Sequence, residues 1–115
     1  MLEFLQWREE RIFMLKIVVY DGGYGGELFA DQLEEELSVA EIIRVIDWRN
    51  ADQLLCSPKK ARKTAMRALD PYIGQVDLIV LANYFLTATS LKYFTRKFKS
   101  QQFVGLKLPD RKSVV

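Results

Sequence analysis

Residues 16–27 read KIVVYDGGYGGE, and this stretch decides the fold. Ile17, Val18, Val19 and Tyr20 form a β-branched and aromatic run of the kind a buried parallel strand shows. Asp21 ends the run. Gly22, Gly23, Gly25 and Gly26 then let the chain turn tightly before Glu27 opens a helical pattern. Strand, glycine-rich turn and helix N-terminus together make the unit from which open α/β sheets build a ligand crevice at their carboxyl edge.

The unit repeats downstream. From Glu27, the residues Leu28, Phe29, Leu33 and Leu37 predict an inward stripe, with Glu34, Glu35 and Glu36 on the wet side. Glu27 and Asp31 suit the positive end of that helix. Ser38 marks a turn, residues 42–46 a second strand ending at Asp47, and residues 48–56 a loop. Ser57-Pro58 is a helix start, since the serine oxygen can accept an N-terminal amide and Pro58 has none to leave unpaired. That helix runs to about residue 69, burying Ala61, Ala65, Ala68 and Leu69 and exposing Lys59, Lys60, Arg62, Lys63 and Arg67. Asp70-Pro71 closes it, with Tyr72 and Ile73 as a last turn before Gly74.

Residues 76–82 predict a third strand, residues 83–86 a loop, and residues 87–98 a third helix with Leu91, Phe94 and Phe98 inward. Residues 103–106 predict a fourth strand. The expected fold is a doubly wound α/β domain over residues 14–108: one sheet of about four parallel strands, order 2-1-3-4, flanked by helices through right-handed crossovers. That order puts the switch point between strands one and three, so Asp21 should face Asn83. Residues 1–13 read as an N-terminal extension with a weak helical pattern, Met14 being an alternative start, and residues 109–115 as a polar tail.

Composition bounds the function. At 115 residues the chain is one domain by length, able to bury roughly 65% of its unfolded surface. Its longest apolar run, residues 78–82, is too short to cross a bilayer, so no membrane partner is expected. The N-terminus mixes charges with apolar residues and lacks a small-residue cleavage site, unlike a signal peptide. One cysteine, Cys56, excludes an internal disulfide and suits a reducing cytoplasm, the expected location. There is no histidine, which removes the commonest general base and most zinc sites. The net charge of +2 hides an asymmetry: five Lys/Arg against twelve Asp/Glu in residues 1–55, and twelve against three in residues 56–115. Because the cations ride on amphipathic helices, acidic and basic helices on different faces of one sheet are favoured over a nucleic-acid surface.

The glycine stretch fails the nucleotide patterns. Read from Gly23, G-x-G-x-x-G ends on Leu28, no Lys-Ser/Thr follows the last glycine, and Glu27 would repel phosphate. No cofactor and no metal is expected. Cys56 precedes a helix start near Lys59 and Lys60, a setting that favours a thiolate, but a bystander thiol is the preferred reading.

DGGYGG before a helix resembles the Asp-Ser-Gly-x-Gly-Gly signature of glutamate racemase and the wider aspartate/glutamate racemase family. Asp47 and Ser57-Pro58 fall at the family's spacing from second strand to next helix. Leu81-Ala82-Asn83-Tyr84 matches the position of its Ala-Cys-Asn-Thr, and Val104-Gly105-Leu106 resembles the following Ile-Gly-Val strand. The similarity covers about residues 16–108, the first of the family's two flavodoxin-like halves. It implies descent from cofactor-independent amino-acid racemases, in which two cysteines, one per domain, exchange the α-proton from opposite faces.

Residue by residue, the resemblance leaves most of that chemistry out. Asp21, Gly23, Gly25 and Gly26 match the family's Asp and glycines, but Gly22 stands where its substrate-binding Ser should be. Asp52, Gln53 and Leu54 replace its Pro-Tyr-Gly. The cysteine position falls on Ala82 or Asn83, depending on register, and the family's Thr is replaced by Tyr84. Racemisation needs a base and an acid on opposite faces of a closed site, whereas Asp21 and Asp47 lie on one side.

The expectation is a non-catalytic binding or assembly module, with Asp21, Gly22, Gly23, Gly25, Gly26, Asp47 and Asn83 as candidate contacts to a small carboxylate or amino acid. Asp21 is the one candidate catalytic group. The alternative is half of a racemase-type isomerase completed by a second-domain partner; a basic-face nucleic-acid module comes third. Trp48, Leu54 and Leu55 on one side, and Tyr84, Phe85 and Leu86 on the other, should converge beside Asp21. Two or three of the six should turn inward and the rest be covered by a partner, most simply a second copy.

Overall fold

The computed structural model describes residues 15–106; the expectations for residues 1–13 and 109–115 lie outside the described residues. The first strand, β1 (Leu15–Asp21), occupies an interior position because its four residues Ile17–Tyr20 are apolar on both faces. Next come α1 (Tyr24–Glu36), β2 (Ala40–Ile46) and two short 3₁₀ turns (Trp48–Asn50 and Gln53–Leu55). The remaining elements are α2 (Pro58–Leu69), a 3₁₀ turn (Asp70–Tyr72), β3 (Leu78–Leu81), α3 (Tyr84–Lys97) and β4 (Phe103–Gly105).

The strands form one parallel sheet in the order β2-β1-β3-β4. Val18 lies beside Ile43 on one flank and Ile79 on the other. This is the order expected from the alternation of strand and helix patterns.

Side chains alternate across the sheet and so build two cores. On one face Val18, Tyr20, Ile79 and Leu81 pack with Ala61, Ala65 and Leu69 of α2 and with Leu86 and Phe94 of α3. Phe94 stacks on Phe103 of β4 with ring centres 5.6 Å apart. Truncating such a buried aromatic to Ala costs about 3–5 kcal/mol. On the other face Ile17, Val19, Val80 and Ala82 pack with Ala30, Phe29 and Leu33. That face carries α1, which is also tied to β2 by Arg44: its guanidinium reaches Asp31 at 2.6 Å, Glu34 at 2.7 Å and Glu27 at 3.5 Å.

The helix starts follow local chemistry. Ser57 caps α2 by accepting from the Lys60 amide at 3.2 Å, with Pro58 in the first helical position. β2 begins at Ala40 rather than at residue 42, β3 spans Leu78–Leu81 within the expected 76–82, and two helix starts differ from expectation. Residues 83–86 are not a loop: Asn83 is the N-cap of α3, its Oδ1 accepting from the Leu86 amide at 2.8 Å, so the helix begins three residues early. Likewise α1 begins at Tyr24 rather than Glu27, taking Gly25 and Gly26 into its first turn.

The glycines at 22–26 therefore do not serve conformational freedom. Among the described residues only Gly74 has a positive φ, at 79°, and it ends the turn after α2. Gly26 is required by close approach instead, since a Cβ there would lie 2.4 Å from Cβ of Asp21. Early helix entry also rotates the stripe of α1. Ala30 and Gly26 are its buried residues, Phe29 and Leu33 are half-buried, and Leu28, expected inward, is exposed together with Leu37.

Candidate functional site

The carboxyl edge is organised by one carboxylate. Asp21, at the end of β1 and only 7% exposed, accepts from the Gly22 amide at 2.7 Å and from the Asn83 side-chain amide at 3.2 Å through Oδ1. Its Oδ2 accepts from the Gly26 amide at 2.7 Å. Three of its roughly four acceptor positions are thus filled, two by amides at the start of α1 whose partial positive charge suits an anion. Asn83 meanwhile caps α3 with its oxygen. One side-chain pair therefore ties the starts of two helices on opposite faces of the sheet.

Asp47, at the neighbouring strand end, is similarly engaged. Its Oδ2 accepts from the Tyr20 hydroxyl at 3.1 Å and its Oδ1 from the Asn50 side chain at 2.9 Å. Burial first, and then the Asp47 carboxylate, hold the Tyr20 phenol well above its ordinary range, so it stays neutral and donating. Asp21 and Asn83 do come together, bonded to each other and to backbone amides. The Asp47 carboxylate is instead held by Tyr20 and Asn50, and Asp47 meets Asp21 only through its backbone amide, which donates to the Asp21 carbonyl at 2.8 Å.

A hollow of about 410 Å³ opens beside them. Asp21, Gly25 and Asn83 line it, with apolar walls from Leu28, Phe29, Ala82, Tyr84 and Leu106. Gly22 is turned away from the hollow, its α-carbon packed where a Cβ would meet Ala51 and Leu54 at 3.0 Å. Gly23 is the N-cap of α1 and approaches the Trp48 ring. Cys56 is exposed just before the Ser57 cap. Among the described residues no cluster of three or more acidic or cysteine side chains is placed to hold a metal ion.

The six apolar loop residues divide evenly. Leu54 and Leu86 are fully buried in the α2–α3 core and Phe85 packs against it. Trp48, Leu55 and Tyr84 are 54%, 64% and 47% exposed. Two residues of α1 join them: Tyr24 at 75% and Leu28 at 64% exposure. Tyr24 sits edge-on to Trp48 with ring centres 5.6 Å apart, and Leu28 follows one turn later on the same helix face. Leu28 and Tyr84 share the hollow. The rim thus runs Trp48–Tyr24–Leu28–Tyr84 around the Asp21 edge.

Sequence reasoning passed over Tyr24 and Leu28. The available signal was their four-residue spacing on a helix that starts inside the glycine stretch. Thr87 was passed over too: its hydroxyl donates to the Leu81 carbonyl and accepts from the Leu106 amide, both at 3.1 Å, and so joins the ends of β3 and β4. Gly105 is fixed by that side chain, because a Cβ there would lie 2.4 Å from Thr87. No helix of the described residues is long and apolar enough to cross a membrane. Compared with models of known families, with curated proteins and with solved structures, the chain matches none.

Proposed function

We propose that the chain is a non-catalytic assembly module, akin to the first domain of the aspartate/glutamate racemases, that pairs with a second copy through its carboxyl edge. The observation that carries this reading is the exposed apolar rim. Trp48, Tyr24, Leu28 and Tyr84 stand exposed around the Asp21 edge, the edge that the second domain would cover if the racemase resemblance holds. Monomers seldom leave apolar patches of more than a few hundred Å² uncovered, and aromatic anchors at the middle of an interface typically contribute ~2 kcal/mol or more each. The engagement of Asp21 and Asp47 in fixed hydrogen bonds supports the same reading, since neither is held as a free base over the hollow.

Sedimentation velocity on the full chain tests it. Wild type should be a dimer, and Trp48→Ala with Tyr84→Ala should give a folded monomer. A wild-type monomer at high concentration overturns the pairing. In parallel, the protein in deuterium oxide with L-aspartate or L-glutamate should leave the α-proton signal unchanged. Exchange that Asp21→Asn abolishes would establish the alternative, half of a racemase-type isomerase.

A further inference from the structure

The second charged feature lies on the opposite side of the molecule from the acidic helix. Between α2 and α3 run two adjoining hollows of about 560 and 610 Å³, which share Arg62 and Tyr93. α2 contributes Lys59, Arg62, Lys63 and Arg67 to their walls. α3 adds Lys92, Arg96 and Lys97. Asp70 is the one carboxylate among the described lining residues. All described ion pairs belong to Arg44 on the far face of the sheet, so these seven cations have no carboxylate partner among the described residues.

The centre of the groove is built. Arg62 lays its guanidinium 4.3 Å from the centre of the Tyr93 ring and donates from Nη2 to the Thr89 carbonyl at 2.8 Å. Its Nε is buried with no partner among the described residues. Lys97 stands 5.6 Å from the same ring centre. A fixed arginine–aromatic pair thus separates two concave sites, each flanked by mobile-length cationic side chains.

We infer that the α2–α3 groove is a docking surface for a single-stranded nucleic acid, whose phosphates would meet the cations while unpaired bases enter the hollows. An acidic protein is the less suitable occupant. Protein interfaces have apolar centres depleted of charge, and here the lining side chains offer only Met66 and Tyr93 as large apolar contacts. A basic groove with an aromatic at its middle is instead the arrangement that tracks a flexible phosphodiester backbone. The acidic α1, with Glu27, Asp31 and Glu34 gathered on Arg44, lies across the sheet, where it does not oppose the approach.

Fluorescence anisotropy with a labelled oligothymidylate, titrated with the full chain over a range of salt, tests the inference. If three to five phosphates are engaged, log K should fall against log salt with a slope of about −2 to −3.5. Lys63→Ala with Arg96→Ala, both exposed side chains, should weaken binding and make that slope shallower by about 1.4. Arg49→Ala, outside the groove, should change neither. Far-ultraviolet circular dichroism confirms that each variant is folded. Absence of salt-dependent binding, or equal losses in Arg49→Ala and the groove variant, overturns the inference. Tighter binding of the duplex form or of poly-L-glutamate overturns it in favour of that ligand.

Discussion

Replacing Asp21 by Asn tests whether the carboxyl edge is held together by a carboxylate. The side chains are the same shape, so the change removes charge and one acceptor while creating no cavity. If the remaining oxygen faces Gly22 and Asn83, the new amide group points at the Gly26 amide, donor against donor at the present 2.7 Å. The reverse orientation is worse. It sets the new amide against both the Gly22 amide and the Asn83 amide, and Asn83 cannot flip without uncapping Leu86 at the start of α3. The first arrangement therefore decides the magnitude. One charge-assisted bond to a buried amide is lost, a cost of about 2–3 kcal/mol. Gly26 keeps a weaker bond to the Gly23 carbonyl at 3.2 Å, which places the expected loss toward the lower end. In a domain of this size that corresponds to a fall in Tm of roughly 8–16 °C. Urea unfolding followed by circular dichroism measures it. A variant within about 0.5 kcal/mol of wild type would show that the Asp21 bonds are not strong contributors and that the helix starts are held by packing alone.

Two further outcomes follow from the same geometry. Gly26→Ala places a methyl 2.4 Å from Cβ of Asp21 and 3.1 Å from Ile46, and should destabilise by about 1–3 kcal/mol through overpacking. Gly23→Ser, whose Cβ would meet Trp48 at 3.5 Å and whose hydroxyl suits the N-cap of α1, should stay within about 0.5 kcal/mol, and equal losses at both positions would refute the close-approach argument. Tyr20→Phe removes the hydroxyl donated to Asp47 and should cost about 1 kcal/mol at neutral pH. The folded state binds the Tyr20 proton more tightly than the unfolded chain does. Its contribution is therefore intact below about pH 10 and declines as pH rises beyond it. Urea midpoints should accordingly fall less for Tyr20→Phe than for wild type between pH 8 and pH 11; parallel losses would assign the alkaline sensitivity elsewhere.

The sheet was legible because its signals are local and redundant. Each strand is a short apolar run bounded by a polar residue or glycine, and the crossovers leave few ways to arrange four of them. Ser57-Pro58 was equally readable, since cap and first helical residue stand side by side in sequence. Helix starts without that pairing were misplaced. At 22–26 the glycines suggested a tight turn ahead of the helix, whereas the decisive fact is a close approach of Gly26 to Asp21 that only the folded backbone reveals. At Asn83 the strand order already put the residue beside Asp21, but a single polar residue among apolar neighbours gave no sign that it also caps α3. The basic groove was visible only as a count of charges. That cations from two helices border the same Tyr93 depends on how α2 and α3 pack, which sequence periodicity does not specify.

The interior position of β1 has a further consequence, for a chain emerging from the ribosome. Its run Ile17–Tyr20 is made before any strand it will pair with, and β2 supplies a neighbour on one flank alone. The other flank waits for Ile79 and its neighbours in β3, so at ordinary synthesis speeds an apolar strand edge stays open for on the order of seconds. Ribosome-bound chains arrested before Leu78 should accordingly be cut by protease within Ile17–Tyr20, and chains arrested well past Leu81 should resist. The parallel order that makes the finished domain tidy also makes its first described strand the one most dependent on prompt completion of the rest.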